Sequence, residues 1–482
     1  MTTFPPARVL SVLLFVLLLA CARPLAAYSL LTHEQLIDLT WQDSIVPLLL
    51  SRYPNLTSAD LEHARAYAYG GCVIQDIGYY PFGNGSFSNL THYVRSGDFV
   101  VSLFRNAENA DELAFAVGAL SHYIGDSIGH SEATNLAVPI EFPALARKYG
   151  RVVSYAEGRH QHVRTEFAFD IDQIAHHRLA PLHYLRHVGL RVPVRQLALA
   201  YYQTYGINED FGKTGRRINV RAYRFAVHAL IPRVAYALTL LHRSHEPPET
   251  PSPDLDTIQQ EVAAVASRDN WDHWRRKAGI GTYMLAGILF VIPKVGPLSL
   301  AAIKGPTSAT EADYLHSVVQ STAVLRRALA RFTPPASNRP TAQAPASESR
   351  TAQQAQSSGL PPGSGSAALT TFFSQFRDPH HPLPNRDLDT GSVVKLGGYP
   401  LTDLTFAALL HRLTHQPSHP IPPGIKSDVQ AYFANPPADV VSHQPPELWA
   451  QVQADLLVLA TMPTSNEPAP YPTYGEELNT SK

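Results

Sequence analysis

Apolar side chains recur every three to four residues through most of residues 28–245, and this spacing constrains the fold more than any other feature. LTHEQLIDLTWQDSIVPLLLSRY carries Leu31, Leu36, Ile37, Leu39, Ile45, Leu48 and Leu49. ADELAFAVGALSHYIGDSIGH carries Leu113, Phe115, Ala116, Ala119, Leu120 and Tyr123, and VRAYRFAVHALIPRVAYALTLLHR is a third such run. A period near 3.6 buries one face of a helix, whereas a half-buried strand alternates with period two. Little alternation is present. The chain therefore reads as mainly α, a helical bundle with turns at Pro54, GYYPFGNGS and PSPD.

The ends and the middle read differently. A single positive charge precedes VLSVLLFVLLLA, and small residues follow in ACARPLAA, so residues 1–27 read as a signal peptide. Cleavage after Ala27 would leave Tyr28 first; cleavage before Cys21 would give a lipid-anchored chain. Either route implies a secreted, periplasmic or cell-envelope protein. With the first, Cys72 is the one remaining cysteine, so no intrachain disulfide is expected. The sequons at Asn55, Asn84 and Asn89 matter only in a host that glycosylates. Residues 246–333 read as a helical extension, in which GIGTYMLAGILFVI is the most apolar internal run. That run is too short to cross a bilayer and reads as a buried helix, with a membrane-dipping segment as the alternative. Residues 334–368 are rich in Pro, Ser, Ala and Gln and read as a disordered, flexible linker. A small C-terminal segment over 369–462, with an extended piece and one short helix, and a disordered tail over 463–482 complete the chain. Its net charge of −1 gives no bulk electrostatic affinity for nucleic acid or for an anionic membrane.

The chemistry lies in pairs of ligand-type residues. His122, Asp126 and His130 are four residues apart, so on a helix they span about 80° of arc and face one way. Imidazoles flanking a carboxylate suit zinc, and a solvated helix face is the plain alternative. His162 and Glu166 repeat the spacing; His160 competes with His162, and an ordinary His–Glu helix pair competes with both. Asp76 follows an apolar run and either caps a helix or points into a cleft. His92 follows it across a Gly/Pro/Asn-rich loop that can bring the two together. A processed chain would offer the α-amine and carbonyl of Tyr28 as a chelate, with His33 about one turn on.

In this order, the residues resemble the metal site of the zinc-dependent phospholipase C family and of the related zinc-dependent single-strand nucleases and 3′-nucleotidases. The resemblance covers roughly residues 28–245 and implies that family's helical bundle and three Zn²⁺ ions. Asp76, His92, His122 and Asp126 would hold one, His130, His162 and Glu166 a second, and Tyr28, His33 and Asp126 the third, with Asp126 bridging. Tyr28 stands where the family usually has Trp, and the step from Asp126 to His130 is shorter than in its best-known members. YSLLTHE, QDIGYYPFG, THYVRSGDF and LPNRDLDTG resemble a bacterial phospholipase-C-like subgroup. The implied function is phosphodiester hydrolysis by a metal-bound hydroxide, with Asp76 as the catalytic residue that orients or deprotonates the water. The expected substrate is a glycerophospholipid met at a membrane surface, approached past Tyr79, Tyr80, Phe82 and Phe87. The alternatives are a single-strand nuclease and a non-catalytic envelope protein with structural zinc.

Overall fold

The computed structural model describes residues 30–79, 83–209, 211, 220–242, 251–276, 279–291, 305–333, 380–415, 420–443 and 445–465. The expected signal peptide, with Cys21 and Tyr28, the linker and most of the tail lie outside these residues. Among the described residues no β-strand forms; extended pairing is limited to the bridges Arg386–Val393 and Ile421–Thr464. The mainly α expectation therefore holds.

The helices that position the site are α1 (Leu30–Thr40), α2 (Ser58–Gly71), α3 (Gly85–Tyr93), α4 (Ser96–Arg105), α5 (Ala110–Gly129) and α6 (Tyr155–Ala175). α5 lies at their centre. Asn109 caps its start by accepting from the Glu112 amide at 3.0 Å. Its midsection is small, and this lets α2 approach closely. A Cβ on Gly118 would fall 2.2 Å from the Ala68 carbonyl oxygen, and one on Gly71 would fall 2.0 Å from that of Phe115. α6 begins with a capping box, in which the Ser154 amide donates to Glu157 Oε2 at 2.8 Å, and it bends at Gly158. Asp170, farther along α6, accepts from the amides of Leu31 and Thr32 at 3.0 and 3.1 Å and so pins the first turn of α1.

Around these pack α7 (Val194–Tyr205), α8 (Ile231–His242), α9 (Pro253–Arg268), α10 (Ile280–Val291) and α11 (Ser308–Phe332). α11 is tied to the first six helices. Tyr314 stacks on Phe169 with ring centroids 4.6 Å apart, its hydroxyl lies 2.9 Å from Thr32 Oγ1, and Phe332 stacks on Phe104 at 5.1 Å. One apolar core runs from Leu30 to Leu459. The sequence-based expectation of a buried helix at residues 279–292 needs correction. Ala286 and Leu289 of α10 pack against Leu238 and Ile171, but Ile280 is 81 % exposed and Phe290 70 %.

The C-terminal segment departs further from expectation. In place of one short helix it forms α12 (Pro400–His415), α13 (Pro423–Phe433), the short Ala438–His443 helix and α14 (Pro446–Thr461). Proline misleads here. Each of α12, α13 and α14 begins at a proline, where the missing N–H costs no helical hydrogen bond.

Candidate metal centre

Eight of the nine expected ligands, all but Tyr28, are described, and the fold gathers them into one enclosed cluster. Successive turns of α5 carry His122 and Asp126, and His130 follows at its end. Asp126 Oδ2 lies 3.0 Å from His122 Nε2 and 3.3 Å from His92 Nε2, while Oδ1 lies 3.2 Å from His33 Nε2. Asp76 sits in a 3₁₀ turn, Ile74–Gly78, with Oδ1 3.3 Å from His92 Nε2. It is not a helix cap; it points into the cluster. His33 stacks on His122 with centroids 4.2 Å apart.

The second group lies alongside. His162 Nδ1 is 2.7 Å from Glu166 Oε1, and His130 Nε2 is 3.4 Å from the same oxygen. His160 is exposed whereas His162 is fully buried, and this decides between them. At His130 the helix widens into a π turn, His130–Thr134. An α turn would bring round Thr134, four residues on; the π turn brings round Asn135, five residues on.

Three imidazoles are oriented by a hydrogen-bond acceptor on the nitrogen that faces away from their cluster partners, and a fourth has a carboxylate opposite that nitrogen. His92 Nδ1 lies 2.7 Å from the Ser88 carbonyl, His122 Nδ1 2.9 Å from that of Cys72, and His162 Nε2 2.8 Å from Asn135 Oδ1. His130 Nδ1 lies 3.4 Å from Asp389 Oδ1. A proton held on each outer nitrogen leaves an inner lone pair aimed at neighbouring lone pairs and carboxylates. Asp76 Oδ1, both oxygens of Asp126 and Glu166 Oε1 accept no hydrogen bond from outside the cluster, although they are buried.

Such a set suits cations. Burial, followed by the charges of Asp126, Asp76 and Asp389, pushes the Glu166 carboxyl well above its usual range. Burial also pushes Asp126 upward, but His122 and His130 outweigh it and hold that carboxyl well below its usual range. Burial opposes a proton on His92, yet its hydrogen bonds to Asp126 and Asp76 raise it to about 10. Burial and then His130 lower His162 to about 3. Without metal the cluster must distribute protons unevenly to tolerate its own charge. Within this cluster, His33–His122–Asp126, Asp76–His92–His122 and His130–His162–Glu166 each lie close enough to share an ion. Nitrogen and carboxylate donors in threes fit zinc.

Residues 32–209 match the family model described as zinc dependent phospholipase C. These residues form a domain of the zinc dependent phospholipase C family. The eight described cluster residues all fall within it, and membership implies a hydrolase that depends on zinc. No curated protein and no solved structure matches the chain.

Two residues of the centre were not anticipated. Asn135 stands five residues after His130, off the helical repeat that exposed the others. Asp389 lies far outside the zinc dependent phospholipase C domain, in DLDTG of the C-terminal segment. That stretch is a tight turn, in which Asp387 Oδ1 accepts from the Thr390 amide at 2.9 Å and Gly391 has φ +68°. The signals available were its turn signature and its place in LPNRDLDTG, one of the stretches that carry the family resemblance, and neither points to a distant histidine. Conversely, Tyr79 and Phe87, expected along a substrate approach, are both buried. Phe87 packs within 5.0 Å of the Tyr201 ring centroid as part of the core. Tyr80 and Phe82 lie outside the described residues.

Proposed function

We propose that this chain hydrolyses phosphodiesters at a zinc cluster built from these residues, and that its substrates are glycerophospholipids. The observation that carries the reading is Asp126, whose two oxygens face separate histidines and so can bridge two ions beside a third donor group. Zinc at such a cluster supplies Lewis acidity toward phosphoryl oxygens and lowers the pKa of water toward neutrality. His33 and Asp126 would hold one ion, joined by the Tyr28 amine and carbonyl in a processed chain. Asp76 and His92, with His122 and Asp126, would hold the next, and His130, His162 and Glu166 the third. Asp76 would accept the proton of the attacking water and aim its oxygen at phosphorus. The new P–O bond forms as the P–O ester bond breaks, and the departing alkoxide takes up the proton that Asp76 accepted.

The outer surface supports a lipid substrate. α10 exposes Ile280, Tyr283, Met284 and Phe290, and Arg276 is exposed just ahead of it, beside Lys277 in the sequence. An exposed apolar helical face with basic flanks suits the boundary of an anionic bilayer. No described helix is long and apolar enough to cross a membrane.

The enclosure of the cluster favours a second reading, in which zinc is structural and nothing turns over. One assay series separates these readings: zinc per chain, then hydrolysis of bis(p-nitrophenyl) phosphate, phosphatidylcholine vesicles and single-stranded DNA. Release of phosphocholine is the expected result. Cleavage of DNA alone would establish the nuclease, and bound zinc without any hydrolysis would establish the structural role.

A further inference from the structure

We propose that Asp389 is the positioning residue for His130, and that the C-terminal segment is thereby a built-in part of the metal centre. The proposal rests on the zinc reading above. Of the four groups that face the outer nitrogens of cluster imidazoles, three belong to residues 32–209: the Ser88 carbonyl, the Cys72 carbonyl and the Asn135 amide. The fourth, Asp389, comes from outside, and it is the one carboxylate among them.

Asp389 is held from several sides. Its Oδ2 accepts from the hydroxyls of Tyr93 at 2.9 Å and Tyr399 at 2.6 Å. This leaves Oδ1 facing His130 Nδ1. Its backbone carbonyl accepts from Asn135 Nδ2 at 2.7 Å, so the residue that orients His162 is itself fixed by this loop. The amide of the preceding Leu388 donates to the His92 carbonyl at 3.1 Å. Residues 388 and 389 thus reach His92, His130 and, through Asn135, His162. Gly391 brings the loop against α5 so closely that a Cβ there would lie 2.3 Å from the Ser127 carbonyl oxygen.

A carboxylate on Nδ1 fixes the ring's rotation and keeps the proton on that nitrogen. Nε2 is then presented as a lone pair toward Glu166 and His162. The negative charge also makes the ring a stronger donor to a metal, and partners of this kind govern how tightly an ion is retained.

The test is zinc retention in the full chain. Asp389→Asn keeps an oxygen for the two tyrosines and removes the charge. Wild type and variant are loaded with zinc and titrated with a competing chelator, zinc per chain is counted, and the melting temperature of each metal-free protein is measured. The expected result is selective weakening of one zinc by about 10–100-fold, with the metal-free melting temperature unchanged. In a His130→Asn background, the same substitution should cause no further loss. Equal zinc affinity in wild type and Asp389→Asn would overturn the proposal. So would a matching loss of metal-free stability, because Asp389 would then serve the fold alone. A wild-type chain that takes up no zinc would instead remove the reading beneath it.

Discussion

Asp126 is the residue on which the two sides of the first donor group meet. Replacing it with Asn keeps the volume and removes the charge that faces His33, His92 and His122. Asp126→Asn should release at least one zinc per chain and lower turnover by about 10³-fold, equivalent to ~4 kcal/mol of transition-state stabilisation. Metal counting and diester hydrolysis on the same preparation check this; full zinc with full activity would contradict the bridging role. At this scale the helical repeat made much of the cluster readable. His122, Asp126 and His130, and likewise His162 and Glu166, announce themselves because four residues make about one turn. Asn135 and Asp389 did not. The first depends on a π turn that shifts the repeat by one residue, and the second on a loop distant in sequence.

Among the elements, the contact of α2 with α5 sets the position of His122, one turn beyond Gly118. The backbone of α2 occupies the space a side chain would need. Gly118→Ala should therefore force the helices apart and cost about 1–3 kcal/mol or more, read as a lower urea midpoint. The C-terminal segment is attached by another device. His381 Nδ1 lies 2.9 Å from Asp98 Oδ1 and its Nε2 lies 3.5 Å from Asp428 Oδ1; Arg95 Nε bonds both acids, and Asn385 donates to Asp98. The hydrogen bonds to Asp428 and then Asp98 outweigh partial burial and raise His381 to about 10. A folded value above the ordinary ~6.5 means that this contribution is complete below that pH and is lost as pH rises toward about 10. Melting temperatures across this window should fall more steeply for wild type than for His381→Gln. Parallel curves would remove His381 from the account. Of the elements, the helices of residues 30–205 were legible from their apolar repeat, whereas α12 to α14 were hidden by prolines that start helices as readily as they end them.

For the molecule as a whole, the exposed face of α10 predicts partition onto bilayers independent of the chemistry. Ile280→Asp and Phe290→Asp each withdraw a large apolar side chain worth ~1.5–3 kcal/mol on burial, which is about tenfold or more in affinity. Both should weaken sedimentation with anionic phospholipid vesicles while leaving hydrolysis of a soluble diester unchanged. Undiminished vesicle binding would place lipid contact elsewhere. The sequence identified this run as apolar but could not say which side of it would stay uncovered, because that depends on where α8 and α6 lie.

The cluster draws its surroundings from both sides of residues 334–379, with His33 through Glu166 before them and Asp389 after. Were the backbone cut between residues 333 and 380, the two pieces would be held together only by their packed faces. Docking of the C-terminal piece would become a bimolecular equilibrium, governed by concentration where the intact backbone had made it intramolecular. Dilution alone would then separate His130 from the carboxylate that faces it.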